Sequence, residues 1–103
     1  MKRTFASLTL TTADTEYNIA LPVCRGVRIQ VDPGTAASPA TAAELRFCAT
    51  DGLVAAKTPP YATIPPGDDF HDPAMSLGLE LDATTLYFAS SIAGAVVQIV
   101  YWT

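Results

Sequence analysis

The stretch that decides the fold is Ala95-Val96-Val97-Gln98-Ile99-Val100-Tyr101-Trp102-Thr103. On a β-strand successive side chains point to opposite faces, so Val97, Ile99 and Tyr101 share one face, while Val96, Val100 and Trp102 share the other with Gln98. Both faces of this strand are therefore apolar. In a small antiparallel domain only one face of a strand meets the domain's own core, so the second face is expected to meet another subunit or a larger partner. We take Val97, Ile99 and Tyr101 as the candidate oligomer interface.

Composition supports the same interpretation. The chain of 103 residues is predicted to form one domain over residues 1–103, half of it apolar and only 16% of it charged. An ordinary soluble domain has about 25% charged residues, and a shortfall in charge favours a surface that is covered in an oligomer or lattice. The net charge is −4 and the six basic residues are few and spread along the chain, which argues against a nucleic-acid partner.

Alternating patterns predict β-strands along most of the chain. In Gly26-Val27-Arg28-Ile29-Gln30-Val31 the three aliphatic residues are predicted to face inward. Further strands are predicted at Phe5–Leu10, Glu16–Leu21, Leu45–Ala49 and Thr85–Ala89, and in the stretch quoted first. Pro and Gly turns separate the strands, and helical patterns are almost missing. The chain is therefore predicted to be all-β, a single small antiparallel β-sandwich or jelly roll of seven to eight short strands.

The connections are less regular than the strands. Small residues from Thr35 to Ala43 predict a surface loop, with a short helix starting after Ser38 as the alternative. Prolines on both sides of Tyr61–Ile64 favour a short extended piece at a sheet edge. The segments Thr85–Ala89 and Ala95–Trp102 are predicted to form a terminal hairpin.

The densest polar segment is Asp68-Asp69-Phe70-His71-Asp72, which holds the chain's single histidine. Carboxylates and an imidazole can hold a cation, but the spacing matches no known metal-binding loop, and we favour a solvated loop near a sheet edge. Ser90-Ser91 lacks the glycine elbow of a nucleophile. The sequence thus predicts no catalytic residues, no metal and no cofactor.

The two cysteines, Cys24 and Cys48, lie too far apart to resemble a metal knuckle or redox pair. We expect free, buried thiols, with a disulfide left open. The residues after Met1 briefly imitate a signal peptide, but Thr and Ser interrupt the apolar run and a first strand is the better interpretation. No run is long enough to span a membrane, so a membrane partner is not expected.

Several segments follow one another in a distinctive order. They are a Thr-rich first strand, Val27-Arg28-Ile29-Gln30-Val31, Leu45-Arg46-Phe47 followed by Asp51-Gly52, Tyr61-Ala62-Thr63-Ile64-Pro65-Pro66-Gly67, and the closing segment from Leu86 to Trp102. This order resembles that of small virion proteins of tailed bacteriophages, of the capsid decoration (cement) type. The most distinctive segments are the last two.

The resemblance implies a non-enzymatic β-sandwich, commonly trimeric, that sits on the major capsid protein lattice at the virion surface after assembly in the bacterial cytoplasm. A homotrimer is therefore favoured over a dimer. Flexible segments can become ordered on binding, so the candidate capsid contacts are Lys2, Arg3, Phe5, Thr35, Ser38 and Thr41.

Two other functions stay open. The chain is also compatible with a tail-, neck- or fibre-associated module that binds host-surface glycan. Its aromatic residues could stack on sugars; they are Tyr17, Tyr61, Tyr87, Tyr101 and Trp102. An enzyme or toxin-like domain is disfavoured because the sequence offers no catalytic constellation.

Overall fold

The described part of the chain is built from β-strands and turns. A computed structural model describes residues 2–32, 44–65, 68–72 and 80–103, and these residues contain no helix. Their strands are β1 (Arg3–Leu10), β2 (Tyr17–Leu21), β3 (Gly26–Asp32), β4 (Leu45–Cys48), β5 (Ala62–Ile64), β6 (Asp69–His71), β7 (Thr84–Ala89) and β8 (Ala95–Trp102). The all-β fold class predicted from the sequence is confirmed.

Within the described residues the strands form two antiparallel sheets of four strands each. The first sheet has the order β1-β8-β3-β6 and the second has the order β2-β7-β4-β5. Each sheet contributes one face to a shared apolar core, an arrangement consistent with a β-sandwich. Its most enclosed large side chains include Phe88 from the second sheet and Leu10, Ile29 and Ile99 from the first.

The alternation in β3 is confirmed residue by residue. Val27, Ile29 and Val31 are buried, whereas Arg28 is exposed on the opposite side. β3 lies between β8 and β6 in the first sheet. Its period-two pattern therefore fixes which side of that sheet faces the core.

The predicted terminal hairpin is wrong, because β7 and β8 belong to different sheets. β7 pairs with β2 and β4, while β8 pairs with β1 and β3. The residues between them cross from one sheet to the other. Ser90 is fully buried at the start of this crossing, and Gly94 ends it with a φ of 85°. A five-residue link between two apolar runs suits either connection, so sequence pattern did not separate them.

The other connections gave mixed outcomes. The edge position predicted for Tyr61–Ile64 is confirmed by β5, which pairs only with β4 among the described strands. Asp69–His71, expected within a solvated loop, is instead a short strand at the edge of the first sheet. The loop from Thr35 to Ala43, and the alternative helix after Ser38, lie outside the described residues.

Candidate functional site

The side of the first sheet that points away from the core carries side chains in rows across the strands. We call this side the outer face. The register places its residues in the rows Arg3–Trp102–Gly26, Phe5–Val100–Arg28–His71, Ser7–Gln98–Gln30–Asp69 and Thr9–Val96. Because residues directly opposite each other in a sheet point to the same side, each row is a line of neighbouring side chains.

The outer face carries an apolar strip, formed by Phe5, Val100 and Trp102, among polar side chains. Phe5 is 71% exposed, and Val96, Val100 and Trp102 are half-buried. A groove of about 590 Å³ runs over the middle rows, and Phe5, Val100 and Gln98 are among its lining residues. Exposed apolar patches on small proteins commonly mark interaction surfaces.

Polar contacts frame this apolar strip. The Arg3 guanidinium carbon lies 5.8 Å from the centroid of the Trp102 ring, within the range of a cation–π contact. The Nε atom of Arg28 lies 2.9 Å from Oδ2 of Asp69, and both side chains are substantially exposed. An exposed ion pair of this kind adds little stability, so it serves mainly to orient the two side chains at the edge of the groove.

The sequence-predicted capsid contacts divide into two groups. Arg3 and Phe5 lie on the outer face, and Lys2 is exposed just before β1, where its backbone exchanges two hydrogen bonds of 2.8 Å with Thr103. Thr35, Ser38 and Thr41 lie outside the described residues. The structure thus brings Arg3 and Phe5 together with Val100 and Trp102.

The expectation that Val97, Ile99 and Tyr101 lack cover inside one domain is wrong. Val97 is 0% exposed and Ile99 is 1% exposed, both within the shared core, and Tyr101 packs against that core. The second sheet supplies the cover that we assigned to another subunit. Val97 and Ile99 are enclosed by their own domain, so they are not free to form the oligomer interface that we predicted on this face. The face left open is the outer face.

A second constellation, missed by the sequence reasoning, surrounds the buried guanidinium of Arg46. Its Nη2 atom lies 2.7 Å from Oδ1 of Asp14 and its Nη1 atom lies 3.2 Å from Oε1 of Glu44. Its Nε–H donates to the backbone oxygen of Val54 at 2.9 Å. Glu44 also accepts hydrogen bonds from the backbone N–H and the hydroxyl of Ser91. We call these residues the Arg46 cluster.

The contacts within the Arg46 cluster lower the pKa values of its two carboxylic acids. The hydrogen bond from Arg46 lowers the pKa of the Asp14 carboxyl. Burial acts to raise the pKa of Glu44, but the hydrogen bonds from Ser91 and the positive charge of Arg46 outweigh burial, and the pKa lies below its ordinary value. Both carboxylates are therefore held in the ionised form that Arg46 needs. The cluster joins the turn after β1, the start of β4, the loop around Val54 and the crossing between the sheets.

The Arg46 cluster is a structural device. The Arg46 side chain is 5% exposed, and its guanidinium pairs with Asp14, Glu44 and the backbone oxygen of Val54, all groups that it neutralises or satisfies. In the sequence, Arg46 stands between two core residues of one short strand, which is the one signal that could have singled it out.

The polar segment around His71 does not form a cluster of ligands. Asp69 and His71 sit on the outer face and Phe70 packs toward the core, where its ring centroid lies 5.1 Å from that of Phe47. Among the described residues no group of three or more His, Cys, Asp or Glu side chains is placed to hold a metal ion. Asp69 is engaged by Arg28 instead.

The aromatic residues proposed for sugar stacking do not share one surface. Tyr101 faces the core side of β8, while Trp102 lies on the outer face. Tyr17 and Tyr87 belong to the second sheet, and the phenol oxygen of Tyr17 accepts a hydrogen bond from the backbone of Thr12 at 3.0 Å. A single platform built from these residues is therefore wrong.

Comparison with known proteins gives no family for this chain. No family model matches it, and no curated protein or solved structure matches it significantly. In the described ranges, no helix is long and apolar enough to cross a membrane.

Proposed function

We propose that this chain is a non-enzymatic structural protein of a tailed-phage virion, a capsid decoration protein that binds and stabilises the major capsid protein lattice. The observation that carries the proposal is the apolar strip on the outer face, where Phe5 at the margin is 71% exposed. The partner class comes from the segment order of the sequence, which resembles that of phage decoration proteins. The protein would assemble in the bacterial cytoplasm and sit on the capsid surface.

The chemistry of the outer face suits docking to another protein. The apolar strip of Phe5, Val100 and Trp102 runs from the β1 edge onto β8, and Arg3 and Arg28 lie beside it. Apolar centres enriched in aromatic residues and arginine, with polar groups around them, are typical of protein–protein interfaces. A repeated lattice would add many such contacts, so a modest affinity for each copy becomes firm attachment when several copies are joined.

A pair of matched substitutions tests the docking surface. Val100→Glu places a carboxylate in the apolar centre of the outer face, directly opposite Arg28, which can pair with it and preserve the fold. Val23→Glu makes the same change at a residue that is 49% exposed and not on the outer face. Wild type and the two variants are each added to phage particles that lack the decoration protein, and the bound protein is measured by co-sedimentation.

We expect wild type and Val23→Glu to bind and Val100→Glu to lose at least tenfold in affinity. Particles saturated with wild type should retain more DNA after heating or osmotic shock than bare particles. Equal DNA retention, or equal binding by the two variants, contradicts the proposal. If purified virions contain too few copies to cover the shell, the protein is instead assigned to the tail-, neck- or fibre-associated module that binds host glycan.

A further inference from the structure

Strand β1 forms an edge of the first sheet that the described residues leave open. It pairs with β8 on one side, in an unbroken register from Arg3↔Trp102 to Leu10↔Ala95. Lys2 and Thr103 exchange both backbone hydrogen bonds, so the even-numbered residues of β1 direct their backbone groups toward β8. The odd-numbered residues Arg3, Phe5, Ser7 and Thr9 therefore direct their N–H and C=O groups away from the sheet.

The outward backbone groups of β1 have no hydrogen-bond partner among the described residues. A row of unpaired N–H and C=O groups on an exposed strand is a template for pairing with another strand. Proteins normally block such edges with short strands, prolines, bulges or inward-pointing charges. β1 has 8 residues, no proline and no bulge in its register, and its inward side chains carry no charge.

The other edges in the described part of the fold are protected by these means. β5 has 3 residues and lies between Pro60 and Pro65, and β6 has only 3 residues. β2 has 5 residues and is followed at once by Pro22. Only β1, among these edges, is long, regular and unblocked.

We infer that β1 is a self-association edge, and that two copies of this chain join their first sheets through antiparallel β1–β1 pairing about a two-fold axis. The register follows from the requirement that all outward groups of both copies find partners. That requirement places Arg3 opposite Thr9 of the second copy and Phe5 opposite Ser7, with the axis beside Ala6. The result is one continuous sheet that runs from β6 of one copy to β6 of its partner.

The side chains fit this register. Arg3 of one copy meets the neutral Thr9 of the other, so no like charges stand opposite each other at the new pair of strands. The two Phe5 rings lie diagonally across the axis, close enough for aromatic side chains to touch, and each covers apolar surface that one copy leaves 71% exposed. Antiparallel pairing of one strand with itself is closed by two-fold symmetry and does not grow into a fibre.

The consequence for the proposed function is a doubled docking surface, because the outer faces of the two copies become one. The inference is nevertheless independent of the capsid, since it concerns the purified protein. A homotrimer, as expected from the sequence resemblance, competes with this dimer, and the mass in solution separates them.

The first experiment measures the mass of the purified protein by light scattering after size exclusion. We expect the mass of two chains for wild type and of one chain for Ser7→Pro, with the same far-UV circular dichroism. Proline at residue 7 removes an outward N–H but none of the bonds to β8, and proline is tolerated at such edge positions. A wild-type monomer at concentrations of about 100 μM, a trimer, or an unchanged dimer in Ser7→Pro overturns the inference.

The second experiment tests the register without relying on a folded proline variant. Ala6→Cys places two thiols at the axis, in a pair without direct hydrogen bonds whose Cα atoms lie about 4.5 Å apart, within the range for a disulfide. Thr4→Cys is the matched control on the same side of β1, where the two thiols lie about 13 Å apart along the strands. We expect a crosslinked dimer for Ala6→Cys alone on mild oxidation. Crosslinking of both variants, or of neither, overturns the proposed register.

Discussion

Replacing Arg46 by methionine should destabilise the fold far more than the loss of an exposed arginine does. The side chain is 5% exposed and donates to the backbone oxygen of Val54, a residue that is 0% exposed. Methionine keeps most of the volume but removes every donor. The substitution therefore isolates the polar contribution of the Arg46 cluster from its packing.

The magnitude follows from what is left without a partner. A buried carbonyl that loses its donor destabilises the folded state by about 1–3 kcal/mol. Glu44, whose side chain is 30% exposed, keeps its hydrogen bonds from Ser91 and can partly rehydrate, so its share is well below that of a fully buried ion pair. We expect a total loss of about 3 kcal/mol, which for a chain of this size lowers Tm by roughly 12–24 °C.

Urea unfolding followed by circular dichroism measures this loss, and Arg28→Met is the matched control. Arg28 also pairs with a carboxylate, but its side chain is 53% exposed and that of Asp69 is 38% exposed. Exposed pairs contribute about 0–1 kcal/mol, so the control should stay close to wild type. If Arg46→Met is destabilised no more than Arg28→Met, the cluster does not hold the loops as we describe.

The stability of wild type and of Arg46→Met should depend on pH in different ways, and the sign of the difference is defined. The folded-state pKa values of Asp14 and Glu44 lie below their ordinary values, so the stability that these acids contribute is present above the unfolded pKa values and is lost as pH falls through the folded ones. Wild type should therefore lose stability below about pH 4.5, the ordinary range of a glutamate. Arg46→Met should show a flatter profile, and an equally steep loss in both proteins would contradict this account.

Further substitutions probe the core, the thiols and one turn. Ile99→Asp buries a carboxylate at a position that is 1% exposed, and we expect no soluble folded protein. A folded variant would show that Ile99 does not lie in the core. Cys24 and Cys48 are free thiols, as predicted, although Cys48 is only half-buried, so a reducing agent should leave Tm unchanged, and a drop of several degrees would reveal a crosslink. Gly52→Ala should lower the free energy of unfolding by about 1–2 kcal/mol, because a φ of 87° is strained for a residue with a Cβ. The new Cβ meets no atom within 4 Å, so the loss measures backbone strain without a steric clash. An unchanged urea midpoint would refute this strain argument.

Local periodicity was enough to predict most of the strands and the inward side of β3, but not β6, whose residues were expected within a loop. The alternation of Val27, Ile29 and Val31 with polar residues is compatible with only one orientation of β3, because the polar residues between them cannot face the core together. The order of strands within the sheets could not be predicted in this way. It depends on which runs meet across the core, and several runs have similar length and composition.

The faces of β8 show where an apolar pattern stops being informative. Both faces carry aliphatic residues, so the position of the second sheet decides which of them is buried. The useful signal was Gln98, which marks the outer face and whose Oε1 accepts a hydrogen bond from Nε2 of Gln30 at 3.2 Å. For the Arg46 cluster the sequence offered only the position of Arg46 between two core residues, because Asp14 and Ser91 come from segments far from it in the chain.

The position of β8 in the middle of the first sheet determines when this protein can fold. β8 separates β1 from β3, so neither of those strands has its main partner until Trp102 has been synthesised. Without β8, among the described strands, β3 can pair only with β6 and β1 has no neighbouring strand in this sheet, so neither of them has its main partner. Completing the sheet therefore requires β8 to insert between β1 and β3, and non-local pairing of this kind takes on the order of milliseconds to seconds. A chain interrupted before β8 is expected to be prone to aggregation.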